Sequence, residues 1–202
     1  MKITTLFVDI GGVLLTNGWD HNARKLAAKT FNLDFDEMEE RHRLIFDSVE
    51  IGKTTLDDYL THAVFYKKRS FTPAQFRKFI FEQSQPYPEM IDLIKQLKAH
   101  YELKIVVVSN EAREINAYRI QTFKLTSFVD VFICSCFVHL RKPDADIFKL
   151  ALDVAQTPVD QIIYIDDRVM FVEAAQDLGI CGIHHIDYQS TRTQLASFGL
   201  KL

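Results

Sequence analysis

Apolar residues in this chain follow two patterns. Short unbroken runs rich in β-branched residues cover Ile3 to Val8, Leu103 to Val108, Val129 to Cys134, Ile162 to Ile165 and, more weakly, Ile180 to His184. Runs of that length, apolar at odd and even positions alike, predict strands buried on both faces, as in a parallel sheet. Between them the apolar positions recur every three or four residues. Pro88-Glu89 opens a segment with Met90, Ile91, Ile94 and Leu97 on one face. Glu111 to Phe123 follows the second run, and Asp144 to Ala155 groups Ile147, Phe148, Ala151 and Leu152. Val169 to Leu178 is stopped by Gly179. Strands alternating with helices predict an α/β fold, a Rossmann-like doubly wound parallel sheet with right-handed crossovers.

One stretch breaks the alternation. Residues 16–86 carry no strand pattern but several helix-like segments. Thr72-Pro73 reads as an N-cap followed by proline at the first helical position, Thr55 with Asp58 as a second cap, and Gly52 as an interruption. The stretch is roughly 70 residues long, whereas an ordinary βα connection takes about 2–6. The pattern therefore predicts a core of residues 1–15 and 87–202 with an inserted α-helical domain at 16–86. Phe31, Phe35, Phe46, Phe65, Phe71, Phe76, Phe79 and Phe81 all fall in the insertion. They are expected to form the core of a small helical bundle, with a few lining a pocket.

Composition narrows the class. Hydrophobic residues make up 48% and charged residues 25%, the balance of a globular chain. Net charge is −3, so there is no basic field to hold nucleic acid. Cys134, Cys136 and Cys181 show neither a disulfide framework nor zinc spacing, as in a reducing compartment. The apolar start is interrupted by Asp9 and two glycines, which argues against a signal peptide. No apolar stretch approaches the roughly 20 residues that span a bilayer. The expectation is a cytoplasmic protein with no nucleic-acid or membrane partner.

Candidate chemistry lies at the strand ends, because open α/β sheets bind ligands beyond the carboxyl ends of their strands. Asp9 follows the first run, Ser109-Asn110 the second, Lys142-Pro143 the third and Asp166-Asp167 the fourth. Singly each is ordinary: an N-cap, a turn or a solvated lysine. Together they bring three carboxylates, an ammonium and a hydroxyl to one edge. Two of the 7 glycines, Gly11 and Gly12, stand side by side just past Asp9, which marks an unusual backbone turn.

With these residues in order, the sequence resembles the haloacid dehalogenase-like hydrolase superfamily. The four motifs read Phe7-Val8-Asp9-Ile10-Gly11-Gly12-Val13-Leu14, then Val107-Val108-Ser109-Asn110, then Arg141-Lys142-Pro143-Asp144, then Tyr164-Ile165-Asp166-Asp167-Arg168. The helical insertion after the first motif matches the subclass with a small α-helical cap. The resemblance implies a Mg²⁺-dependent phosphatase of small phosphorylated metabolites, sugar phosphates included. Asp9 would be the nucleophile, forming an aspartyl-phosphate. Ser109 would hydrogen-bond a phosphoryl oxygen and Lys142 would neutralise charge. Asp9, the Gly11 carbonyl, Asp166 and Asp167 would surround the metal, with Asp167 favoured as direct ligand and Asp166 acting through water or Lys142. Asn110, Gly12 and Trp19 are expected at the substrate, Trp19 as a lid or as hinge packing.

The family's phosphatases usually carry a second aspartate two residues after the nucleophile, as general acid and base. Here that position is Gly11. Asp20, His21 and Glu111 are the candidate substitutes. Two other readings stay open: a 2-haloacid dehalogenase, which the Asp166-Asp167 pair argues against, and a phosphometabolite-binding protein with little turnover. Among weaker features, Lys67-Lys68-Arg69 reads by default as a solvated helix end, and His184-His185 lacks the partners of a metal site. Arg113 and Arg168 are placed either to touch substrate or to pair with carboxylates.

Overall fold

The computed structural model describes residues 2–202. At its centre is a five-stranded sheet in the order β3-β2-β1-β4-β5. The strands are β1 Thr5–Val8, β2 Lys104–Ser109, β3 Val131–Cys134, β4 Ile162–Asp166 and β5 Cys181–His184, and every neighbouring pair runs parallel. Each apolar run has become a strand, because both faces are covered. Alternate residues of a strand point to opposite sides. Leu6, Val8, Ile105, Val107, Ile163 and Ile165 pack on one face with Met90, Ile91, Ile94 and Leu97 of α5 (Pro88–Tyr101) and Leu195 of α10 (Tyr188–Ser197). Phe7, Val106, Val108 and Tyr164 pack on the other with Ile147, Phe148 and Ala151 of α8 (Ala145–Ala155) and Phe171 and Ala175 of α9 (Val169–Gln176).

Two further helices follow β2 and β3: α6 (Arg113–Thr122) and the single turn α7 (Ser135–Val138). The hydrophobic pattern did not predict α10. That helix buries only Thr191 and Leu195 and is started by a capping box between Asp187 and Ser190, so it has too few apolar positions to register as periodic.

Between β1 and α5 lie four helices: α1 (His21–Phe31), α2 (Phe35–Glu50), α3 (Leu56–Ala63) and α4 (Pro73–Glu82). Thr55 and Thr72 both form capping boxes, with Asp58 and Gln75, and Pro73 opens α4. Phe76 is fully buried at the centre of the insertion. Around it stand the rings of Phe31 at 4.9 Å, Trp19 and Phe71 at 5.8 Å, Phe65 at 6.3 Å and Phe79 at 6.4 Å. Full burial of such a ring stabilises by about 1.5–3 kcal/mol, so this cluster gives the insertion a core of its own. The chain enters and leaves it side by side. Leu15 bridges Pro86, the Thr16 amide donates to the Gln85 carbonyl (2.8 Å), and Tyr87 donates to Leu14 (2.9 Å). The end of α2 rests on the core, where the Ser135 hydroxyl donates to the Glu50 carbonyl at 2.6 Å.

Candidate active site

Asp9 ends the central strand, but no helix follows for it to cap. Instead the chain turns back on itself, with the amides of Leu14 and Leu15 donating to the Ile10 carbonyl at 3.0 and 2.9 Å. Gly12 makes this turn possible: its φ is +73°, and a Cβ there would collide with the Asp167 carboxyl. The turn directs the Asp9 carboxylate to the sheet edge. Oδ1 accepts from the Ile10 amide at 2.7 Å, and Oδ2 lies 3.2 Å from Lys142 Nζ.

Lys142 is fully buried and its ammonium also donates to Asp166 Oδ2 at 2.6 Å. Both oxygens of Asp166 are engaged. Oδ2 takes a second bond from the Tyr164 hydroxyl, and Oδ1 accepts from the Arg168 amide at 2.8 Å. Asp167 is different. Its Oδ2 accepts from Asn17 Nδ2 at 3.0 Å, while Oδ1 is buried with no hydrogen-bond partner among the described residues. Oxygens of Asp9, Asp166 and Asp167 lie within 4.8 Å of one another. Burial pushes the Asp9 carboxyl up to about 7; Lys142 and the Ser109 hydroxyl pull it down, and Asp166 and Asp167 push it further up. Burial alone would drive Lys142 towards its neutral form, but Asp9 and Asp166 outweigh it and hold the lysine protonated.

Ser109 ends β2, and its hydroxyl lowers the proton affinity of Asp9. Two of the expected substrate contacts make hydrogen bonds within the protein. The Asn110 carboxamide clamps the loop of Lys142, donating to its carbonyl and accepting from its amide, both at 2.9 Å. The Gly12 amide is committed to the Leu15 carbonyl at 2.7 Å. Trp19 is buried among the inserted helices and forms part of the cavity wall, so it packs rather than swings.

The candidate substitute acids all line the cavity, and all are engaged. Asp20 caps α1 by accepting from the Ala23 amide at 2.8 Å. His21 faces Glu39 at 3.3 Å. Glu111 accepts from the Ala112 amide at 2.9 Å and pairs with Arg119 at 2.7 Å. Burial raises its proton affinity, with Arg119 working against the shift.

Arg119 was not anticipated from the sequence, yet it is the largest fully buried side chain. It donates to Ser84 Oγ at 3.0 Å and the Thr16 carbonyl at 3.2 Å, so it ties α6 to both connecting segments of the insertion. Gly18, at φ +69°, leaves room for its guanidinium. A signal existed: Ala112, Ile115, Asn116 and Arg119 share one helical face, and all four are buried.

Above Asp9 is a cavity of about 390 Å³. Its floor is Asp9, Gly11, Asn110 and Lys142. Its roof comes from α1 and α2, chiefly Asp20, Arg24, His42, Arg43, Phe46, Asp47 and Glu50, with Arg141, Arg168 and Phe171 at the side. Most of the roof charges are paired: Arg24 with Glu39, and Arg141 with both Asp47 and Glu50. The sequence pointed to Asp20, Phe46, Arg141 and Arg168 but not to Arg24, His42, Arg43, Asp47, Glu50 or Phe171. Lys67 and Arg69 are engaged elsewhere, with Glu37 (3.1 Å) and the Val64 carbonyl (2.7 Å). His184 braces the Asp167 carbonyl at 3.0 Å, and His185 bonds to Thr191 at 2.7 Å. Arg113 donates to the Cys136 carbonyl at 2.6 Å, while Arg168 reaches the cavity. Among the described residues, no helix is long and apolar enough to cross a membrane.

Comparison with known proteins places this geometry in context. The family described as haloacid dehalogenase-like hydrolase matches residues 3–179. Sesquiterpene phosphatase astK of Aspergillus oryzae is 26% identical over 111 residues, 55% of this chain and 56% of that protein. Bifunctional epoxide hydrolase 2 of Sus scrofa is 33% identical over 60 residues, 30% of this chain and 11% of that protein. The matches thus span little more than half of the first curated relative and a small part of the second. HAD family enzyme BT-2542 of Bacteroides thetaiotaomicron, solved in complex with magnesium and inorganic phosphate, superposes with a TM-score of 0.75 at 22% identity, covering 90% of this chain and 93% of that one. At that identity the likeness shows the fold.

Proposed function

The chain belongs to the haloacid dehalogenase-like hydrolase family, and from that premise we propose that it is a magnesium-dependent phosphohydrolase of small phosphorylated metabolites. The observation that carries this reading is a charge imbalance. Three clustered carboxylates face one buried ammonium, and Asp167 Oδ1 is left without a partner. Buried charge of this kind is costly unless compensated, and hard carboxylate oxygens suit Mg²⁺. Asp9, Asp167 and the Gly11 carbonyl would hold the ion, while Asp166 anchors Lys142. When bound, Mg²⁺ supplies positive charge between the nucleophile and the phosphoryl group.

This chain's own residues do the rest. An Asp9 carboxylate oxygen attacks phosphorus and the ester P–O bond breaks. Gly11 has no proton to give, so the leaving oxygen takes one from water. A second water then cleaves the aspartyl-phosphate, releasing phosphate and restoring Asp9. Lys142 holds positive charge beside Asp9 throughout, and Ser109 donates to a phosphoryl oxygen. Residues 16–86 serve as a cap on a core of 1–15 and 87–202 and exclude bulk water. The roof is mostly charged, with Trp19, Phe46 and Phe171 its main apolar surfaces. Such walls favour a hydroxylated organic group, as in a sugar phosphate, over the terpenoid named for astK. The free cysteines suit a cytoplasmic setting.

The test is phosphate release from a panel of sugar, glycerol and aryl phosphates, with magnesium and with chelator, beside Asp9→Asn. Release that needs magnesium and Asp9 is expected. Wild-type protein that releases none from the whole panel overturns the reading, and chloride release from a 2-haloacid in chelator would replace it with the dehalogenase.

A further inference from the structure

Three side chains of the inserted helices form a hydrogen-bond chain whose direction is set by their chemistry. Trp19 Nε1 lies 2.9 Å from the Tyr59 hydroxyl oxygen, which lies 3.0 Å from His42 Nδ1. An indole nitrogen only donates. The tyrosine hydroxyl therefore accepts from Trp19, and among the described residues His42 Nδ1 is the one acceptor within reach of its own buried proton. Nδ1 accepts that proton's bond, so the imidazole carries its hydrogen on Nε2. The relay is fixed in place: Trp19, Tyr59 and His42 are 3%, 0% and 8% exposed. Phe46 lies against the imidazole at 4.5 Å between centroids, and Tyr59 meets it edge-on at 5.8 Å. Nδ1 points into the inserted helices, so the opposite edge of the ring faces the cavity that His42 lines. Among the described residues, no protein group bonds to Nε2.

We propose that His42 is a specificity-determining residue, whose outward Nε2–H donates to an uncharged oxygen, a hydroxyl or ether, on the organic part of a phosphate ester seated at Asp9. Trp19 and Tyr59 are positioning residues that act through it. The role rests on the phosphohydrolase reading above. His42, Phe46 and Glu50 recur at four-residue spacing on α2, so the donor stands in the row that roofs the cavity. Burial and the neighbouring Arg24 lower the affinity of the imidazole for a second proton, so the donor is neutral. A neutral N–H suits an uncharged oxygen, while an anionic group would be drawn instead to Arg43 and Arg168 on the same walls.

Two measurements test this. Nitrogen-15 NMR of the histidines in the whole protein should show His42 as the Nε2–H tautomer, with Tyr59→Phe releasing that preference. An Nδ1–H tautomer or an imidazolium in the wild type at neutral pH overturns the proposal. In kinetics, His42→Phe should raise KM for a hexose phosphate about 2- to 10-fold, the worth of one neutral hydrogen bond, with kcat little changed. KM for phenyl phosphate, which offers no hydroxyl, should not move. His42→Gln, which keeps a side-chain N–H at similar reach, should recover most of the loss. An active wild type with equal losses on both esters, or none on either, overturns the role of His42 alone. A wild type inactive on both esters overturns this role, and one inactive on the whole panel overturns the phosphohydrolase reading with it.

Discussion

The floor and the roof of the cavity are built in opposite ways. On the floor, adjacent strands β2, β1 and β4 deliver Ser109, Asp9 and Asp166 in a row. Val8 pairs with Ile165, so Asp9 stands opposite Asp166 at the sheet edge. These side chains are almost completely buried, and Lys142 is fixed between two of the carboxylates. On the roof, charged side chains project at helical spacing from α1 and α2, and several pair with Glu39 or with Arg141 of the core. The floor takes its chemistry from backbone position, one residue at the end of each strand. The roof takes its chemistry from packing between helices. Rigid placement of a reacting group suits catalysis, whereas a roof of paired surface charges can vary without disturbing the chemistry beneath it.

The largest difference should appear in turnover. Asp9→Asn removes the nucleophile and is expected to lower phosphate release by about 10⁴-fold or more, the scale on which single catalytic groups act. Phe46→Ala on the roof should cost about tenfold or less and act mainly on KM. Equal effects in the two variants would erase the distinction. Stability should separate the regions next. Lys142→Met leaves Asp9 and Asp166 buried without their cation and should cost about 3–5 kcal/mol in denaturant unfolding. Arg141→Met removes a partly exposed roof pair and should cost about 0–1 kcal/mol.

Position 11 belongs to the floor but faces the connecting segments. Its φ is not left-handed; a Cβ there meets Asn17 Oδ1 at 3.0 Å and Arg119 Nη1 at 3.8 Å. Asn17 can give way, and Arg119 would receive a carboxylate. Gly11→Asp is therefore expected to fold, and to speed turnover of alkyl phosphates about 10- to 100-fold by supplying a proton-transfer group. Unchanged turnover in a folded variant would show that solvent already meets the need.

The same division explains what could be read from the sequence. All five strands were legible, since burial on both faces forces unbroken apolar runs. Asp9, Ser109, Lys142, Asp166 and Asp167 were legible because strand ends in an open sheet converge. The bonding of Asp166 and the orphan oxygen of Asp167 were not: the first depends on the local geometry of Tyr164 and Arg168, and the second on where Asn17 arrives from the connecting segment. His42 was illegible as well. Its tautomer depends on Tyr59 from α3 and Trp19 from ahead of α1, and no spacing in the chain records that meeting. Arg119 lies between these cases: it continues a buried helical stripe, but what it braces is visible only in three dimensions.

The smallest effect is the most discriminating, because floor and roof titrate in opposite senses. In metal-free protein, burial raises the Asp9 carboxyl from 3.8 to about 7. Between those values the folded protein keeps a proton that the unfolded chain has lost, so this group makes stability fall as pH rises from about 4 to about 7. For His42, burial first and then Arg24 and Arg43 lower the imidazole from 6.5 to about 4, against Glu39 and Asp47. Between those values the unfolded chain binds a proton that the folded protein refuses, so this group makes stability fall as pH drops from 6.5 towards 4. Each slope is at most about 1.4 kcal/mol per pH unit. In chelator, Asp9→Asn should therefore gain stability relative to wild type as pH rises through this range, and His42→Gln should gain as pH falls. Urea midpoints across pH 4 to 7.5 measure both, and curves parallel to wild type would refute the assignment. Magnesium should sharpen the contrast. A cation held by ionised Asp9 removes the floor's penalty near neutrality and leaves the roof's untouched, so the wild-type curve with magnesium should keep only the arm that belongs to His42.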